Sequence, residues 1–114
     1  MCELYELPLV YVAGPYTNPD PVMNTHRAVQ WGERIIASGR AAAFVPHITL
    51  MWHVIAPHED VEYWYDLDIA HLARCDVLFR FPGASSGADK EVAFAQSRSI
   101  PVFEDFDALM EWVR

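Results

Sequence analysis

"CDVLFRFPGASSGADKEVAFA", residues 75–95, decides the fold. Residues 75–81 are a short apolar run of strand length, the pattern of a strand buried on both faces. Residues 82–86 carry the Pro, Gly and Ser of a turn. Ser86 and Asp89 have the S-x-x-D spacing of a capping box, so a helix is expected to begin near Ser86 and to run over 86–98. Strand, turn, helix is half of a parallel β-α-β unit.

The same unit recurs on either side. "LPLVYVAG" (7–14) reads as a buried strand ending at Gly14-Pro15, and "TNPDP" (17–21) as a loop. Asp20 followed by Pro21 fits an N-cap with proline at the first helical position. That helix is expected to reach about Ser38, with Gly39 as its stop. "AAAFVP" (41–46) reads as a second strand, "IPVFE" (100–104) as a fourth, and 105–113 as a terminal helix. Residues 59–74 read as a helix. The stretch 47–60 has no clean period and reads as a loop with a short helical turn. The alternation predicts an α/β fold: one domain over 1–114, a three-layer sandwich with a mainly parallel sheet of four to five strands and helices on both faces, flavodoxin- or Rossmann-like. In such sheets ligands bind beyond the carboxyl ends of the strands. The Gly/Pro loops 14–19 and 82–86 follow the first and third strands, so both belong to that edge.

The 114 residues suit one domain, which buries about two-thirds of its unfolded surface without staples. Cys2 and Cys75 are far apart, form no CxxC, and give no sign of an oxidising compartment. "MCELYEL" lacks a basic segment, and no apolar run has membrane-spanning length, so a cytoplasmic setting without membrane contact is expected. Sixteen acidic residues against eight basic ones give a net charge of −8, which argues against a nucleic acid polymer as partner. A single small phosphate remains acceptable, because a helix N-terminus can hold one without side-chain charge.

Two carboxylates fall on inward faces. At about 100° per residue, Ser86, Asp89, Lys90, Ala93 and Ser97 lie on one side of their helix. Ala88, Val92 and Ala95 lie on the other, and Glu91 lies with them. In the helix over 59–74, Val61, Trp64, Tyr65, Ile69 and Leu72 define an apolar face, with Asp68 in its middle and Asp66 and Glu62 on the polar side. Inward carboxylates are costly unless paired, hydrogen-bonded or protonated, and such places suit a nucleophile or a proton donor. The plainer alternatives are a backbone amide for Glu91, and Tyr11 or a loop N–H for Asp68. Tyr11 itself is either a core aromatic or a phenol that orients a carboxylate. His47, His53, His58 and His71 match no compact metal-ligand spacing, so no metal is expected. Trp52, Trp64 and Tyr65 can stack a nucleobase or fill a core. "PGASSG" lacks GxGxxG and is no P-loop, and no Ser-His-Asp arrangement assembles.

"YVAGPYT" (11–17), "DIAHLARCDVLF" (68–79) and "GASSGADKEVAFA" (83–95), in that order, resemble the nucleoside 2-deoxyribosyltransferase superfamily, which includes the nucleoside 5′-monophosphate N-glycosidases. The more specific parts are the acid at position 68, just ahead of the third strand, and the S-x-G-x-x-x-E run from Ser85 to Glu91. The resemblance implies that Glu91 attacks the anomeric carbon, that Asp68 assists departure of the base, and that Tyr11 positions the nucleophile. It places the loop residues Gly14, Pro15 and Thr17, with His47 and Trp64, against the substrate. It does the same for Gly83, Ser85, Ser86 and Gly87. The transferases tend to carry aspartate where Ser85 stands; the monophosphate hydrolases carry serine and use it on the 5′-phosphate. Those hydrolases often add serine and arginine after the first strand, where this chain has Pro15, Tyr16 and Thr17. "PGASSGADKE" is also faintly similar to the PGGxGTxxE loop of phosphoribohydrolases, without its second glycine and its threonine.

The resemblance therefore implies cleavage of the N-glycosidic bond of a nucleoside or its 5′-monophosphate, with hydrolysis favoured over base exchange. No cofactor is implied, and a homodimer or larger homo-oligomer is. Two other classes stay open: a non-catalytic nucleotide sensor, and a partner-binding domain using "HITLMWHVIAPH" (47–58) as an apolar patch.

Overall fold

The computed structural model describes residues 3–114, so Cys2 lies outside the described residues. Four strands form one sheet: β1 (Leu9–Ala13), β2 (Ala42–Phe44), β3 (Val77–Arg80) and β4 (Val102–Phe103). Their order is β2-β1-β3-β4 and every pairing is parallel, at the lower end of the expected strand number. β1 and β3 are the inner strands, covered on both faces, which is why their sequences are apolar runs rather than alternating ones, with Arg80 at the end of β3 the one charged residue.

The helices are α1 (Pro21–Ala37), α2 (Thr49–Ile55), α3 (Glu62–Leu72), α4 (Ser86–Ser97) and α5 (Phe106–Trp112), with a 3-10 turn over Pro46–Ile48. Side-chain alternation along the strands sorts them into layers. Val10, Val12, Val77 and Phe79 pack with Ala28 and Ile35 of α1 and Leu109 of α5. Tyr11, Ala13 and Leu78 pack with Leu72 of α3 and Ala95 of α4. The result is the expected α/β sandwich with helices on both faces. Among the described residues, no helix is long and apolar enough to cross a membrane.

From β1 the chain passes through α1 to β2 on one side; from β3 it passes through α4 to β4 on the other. The carboxyl ends of β1 and β3 therefore flank a switch point, where a crevice opens between diverging connections. Asp20 caps α1 through its carboxylate, which accepts from the Val22 amide at 2.9 Å. Asn24, fully buried on α1, donates to the carbonyls of Tyr16 and Asn18, both at 2.9 Å, and so ties the loop after β1 to the helix that follows it.

Three expectations need correction. Residues 49–55 are a true helix, α2, rather than a loop with one turn, and none of its residues is buried. Its apolar side chains are at most half-buried, Trp52 meeting only the edge of the Trp64 ring, so they leave no periodic trace of a core-facing stripe. The α4 cap is Ser85, not Ser86. Ser85 has the extended φ of −162° that a cap needs, and its hydroxyl accepts from the Ala88 amide at 3.1 Å. Val61 precedes α3 and is 63% exposed, so it does not belong to that helix's packed face.

Candidate active site

The switch-point crevice is a cleft of about 550 Å³. Its floor is the loop after β1, one wall is the start of α4, and the other wall is α3 together with the 46–53 segment. Ten of the twelve residues expected from the sequence line it or point into it: Gly14, Pro15, Thr17, His47, Trp64, Asp68, Ser85, Ser86, Gly87 and Glu91.

The other two sit behind it. Tyr11 is fully buried under the cleft, and its hydroxyl donates to Glu91 Oε2. Gly83 does not line the cleft. It takes φ +128°, and a Cβ there would lie 2.5 Å from Cγ of Pro15, so glycine lets the loop after β3 close onto the loop after β1. Gly14 is constrained in a comparable way, since a Cβ would fall 2.2 Å from the Phe81 ring.

The helical geometry behaves as the sequence implied. Ala88, Glu91 and Ala95 are the buried residues of α4, while Asp89, Lys90 and Ser97 are exposed. Small neighbours leave Glu91 room to turn down towards β1. Its partner is the Tyr11 phenol, which removes the plainer alternative of a backbone amide. Asp68 is half-buried on α3, and its Oδ1 is buried with no hydrogen-bond partner among the described residues. It does not accept from Tyr11, whose hydroxyl is committed to Glu91.

The electrostatics separate the two acids. Burial pushes Glu91 up to about 7, against the Tyr11 hydrogen bond and the Arg80 charge, which both hold it down. Burial pushes Asp68 further, to about 8, and the Glu91 charge adds to the rise. Among the described residues Asp68 has no donor to stabilise its anion. Glu91 therefore ionises first, and Asp68 keeps its proton longer. Tyr11 is raised well above the usual phenol value by burial and by the charges of Glu91 and Asp68, so it stays a donor.

The walls add polar groups. His47 is buried, with Nε2 2.9 Å from the Pro15 carbonyl, and burial lowers its pKa, so the ring is neutral and donates from Nε2. At the α4 N-terminus, Ser85 Oγ accepts from Ala88, which leaves its own proton free to donate. Ser86 and Gly87 line the cleft, and their amides precede the first helical bond, from Asp89 N to Ser85 O, with no acceptor among the described residues. Among the described residues no group of three or more His, Cys, Asp and Glu is arranged to hold a metal.

Several lining residues were not foreseen: Tyr16, Thr49 and His53. His53 accepts from Trp64 Nε1 at 2.9 Å, an arrangement made by the unexpected α2. Tyr65 adjoins Asp68 on α3, where the apolar-face pattern marked it only as a packing or stacking residue.

A two-carboxyl cleft at the switch point of an all-parallel α/β sheet is thus what the fold builds. Comparison with solved structures finds the 2-deoxyribosyltransferase from the psychrotolerant bacterium Bacillus psychrosaccharolyticus, at a TM-score of 0.59 and 18% identity, over 82% of this chain and 69% of that one. The chain shares that enzyme's Rossmann-like α/β fold. No protein-family model and no curated protein matches the sequence.

Proposed function

We propose that the protein cleaves the N-glycosidic bond of a nucleoside or its 5′-monophosphate. The observation that carries this reading is the pairing of Tyr11 with Glu91 beside the unpartnered carboxyl of Asp68 in one cleft. The fold shared with a 2-deoxyribosyltransferase supports it.

The chemistry runs in two steps. The Glu91 carboxylate, oriented by Tyr11, attacks C1′ of the sugar. The C1′–N bond breaks, its electron pair goes to the base, and the Asp68 carboxyl delivers a proton to that nitrogen. In the second step the Asp68 carboxylate takes a proton from water, the resulting oxygen attacks C1′, and Glu91 leaves. A second base in place of water gives transfer. Trp64 and Tyr65 offer faces for the departing base. Thr17, the Ser85 hydroxyl and the free amides of Ser86 and Gly87 offer donors to a sugar hydroxyl or a 5′-phosphate. Ser85, with no carboxylate at that position, leaves the phosphate unopposed and favours hydrolysis of monophosphates. Exposed apolar side chains on α2, Met51, Trp52, Val54 and Ile55, stand beside the cleft and favour a homo-oligomer.

The test is base release, followed by HPLC, over a panel of ribo- and deoxyribonucleosides and their 5′-monophosphates, with and without a second free base. Release from monophosphates without an acceptor supports hydrolysis. Exchange that requires the second base makes the protein a transferase. Measurable ligand binding with no release from any member makes it a sensor and removes the catalytic reading.

A further inference from the structure

His53 is half-buried on α2 and lines the cleft in the wall opposite α4. Its Nδ1 faces two donors. The Trp64 indole Nε1 donates to it at 2.9 Å, and the His58 backbone amide donates to it at 3.4 Å. Neither an indole nor an amide nitrogen can accept in return. A ring nitrogen that accepts carries no proton, so the proton of the His53 imidazole sits on Nε2. Nδ1 is spent on joining α2 to α3, and Nε2–H makes no hydrogen bond among the described residues. The His58 ring lies 4.8 Å from the Trp64 ring, so the indole is packed as well as hydrogen-bonded.

Trp64 links this donor to the carboxyl of Asp68. The two residues are four apart on α3, on one face and about 6 Å apart along the axis. Both line the cleft. A base that takes a proton from Asp68 at its glycosidic nitrogen and lies against the Trp64 ring spans that turn. Its far edge, with the exocyclic group at C6 of a purine or C4 of a pyrimidine, then comes to α2. Thr49 and His53 are the α2 residues that line the cleft. Thr49 spends its hydroxyl proton on the Pro46 carbonyl at 3.0 Å. His53 Nε2–H is thus the donor that α2 offers to a base edge.

We propose that His53 is a specificity-determining residue that selects oxo bases over amino bases. Its Nε2–H, fixed by the hydrogen bond from Trp64, donates to the exocyclic oxygen of hypoxanthine, guanine, uracil or thymine. Adenine or cytosine puts an amino donor at the same place, so two N–H groups meet and neither has an acceptor. The inference rests on the reading of the cleft as a nucleoside site, and it says which nucleosides that site takes.

The experiment is isothermal titration calorimetry on Glu91→Gln, which lacks the carboxylate nucleophile. The probes are 2′-deoxyinosine against 2′-deoxyadenosine 5′-monophosphate, and 2′-deoxyuridine against 2′-deoxycytidine 5′-monophosphate. The oxo member of each pair is expected to bind about tenfold or more tightly. His53→Asn, added to this background, sets its carbonyl oxygen where Nδ1 stands and keeps an acceptor for Trp64, but its amide falls short of the Nε2 position. It is expected to bring each pair to within about twofold. His53→Gln, whose amide reaches the Nε2 position, is expected to keep the preference. Nitrogen-15 NMR of the wild-type imidazole is expected to show the Nε2–H tautomer, and with the wild-type affinities it decides the matter if a variant does not fold. Equal affinity within each pair, a preference that survives in His53→Asn, or a proton on Nδ1 overturns the inference even if the wild type releases base. A preference lost in His53→Asn, with no base released by the wild type from any member, keeps the specificity and removes the cleavage reading. Binding of no member overturns both.

Discussion

The Tyr11 hydroxyl of β1 donates to the Glu91 carboxylate of α4, joining residues 80 positions apart across the floor of the cleft. Neither group is free to do otherwise. Tyr11 is wholly buried and needs an acceptor, and Glu91 is buried and needs a donor. Tyr11→Phe therefore leaves a carboxylate oxygen without a partner, at a cost of about 1–3 kcal/mol of stability, read by denaturant melts. It also removes one of the two influences that hold the Glu91 pKa down. The acid limb of kcat/KM for base release should move to higher pH, while KM changes less than kcat.

The proposed mechanism ties the pH dependence of activity to the separation of the two acids. It needs Glu91 ionised and Asp68 protonated, and their values of about 7 and about 8 leave a narrow window between them. A bell-shaped kcat/KM with its maximum in that window is expected. A rate still rising at pH 9 would remove Asp68 as the proton donor.

Stability depends on the same two groups with a definite sign. Their ordinary values are 4.5 for Glu91 and 3.8 for Asp68, and both are raised in the folded chain. Over the interval the fold holds more protons than the unfolded chain. The stabilising contribution is therefore complete below about pH 4 and is lost as pH rises through about 7 and 8. Asp68→Asn cannot ionise. Its Tm between pH 5 and pH 9 should fall less than that of the wild type, and it should be the more stable protein at the alkaline end.

Ser85 caps α4 and is proposed to hold a phosphate, and substitution can separate the two. Ser85→Ala removes the cap seen at Ala88 and should cost about 0.5–2 kcal/mol. Ser85→Asp restores a good cap but places a carboxylate where a phosphate is proposed to bind. Its Tm should match the wild type, while KM rises for monophosphates and not for nucleosides. Equal KM changes for both substrate sets would move the phosphate away from α4.

Most of the sheet was legible because β1 and β3 are buried on both faces, and a mostly apolar run bounded by Gly and Pro has few other readings. Glu91 and Asp68 were legible because a charge on the small or apolar side of a helix contradicts its surroundings, and turning each helix exposes the conflict. α2 was hidden for the opposite reason: no residue on it is buried, so no stripe repeats. His53 and Thr49 entered the cleft with that helix and were missed with it. The shift of the cap from Ser86 to Ser85 lies beyond sequence reasoning alone, since two adjacent serines offer the same chemistry and the backbone decides between them.

The central claim is that Glu91 bonds to the sugar. The most direct measurement is intact-protein mass spectrometry after incubation with a nucleoside 5′-monophosphate carrying a 2′-fluorine, which slows breakdown of a glycosyl-enzyme. The account predicts a mass increase equal to one fluorosugar phosphate, mapped by peptide analysis to Glu91 and absent from Glu91→Gln. Undiminished base release by Glu91→Gln, or an adduct on another residue, would contradict it.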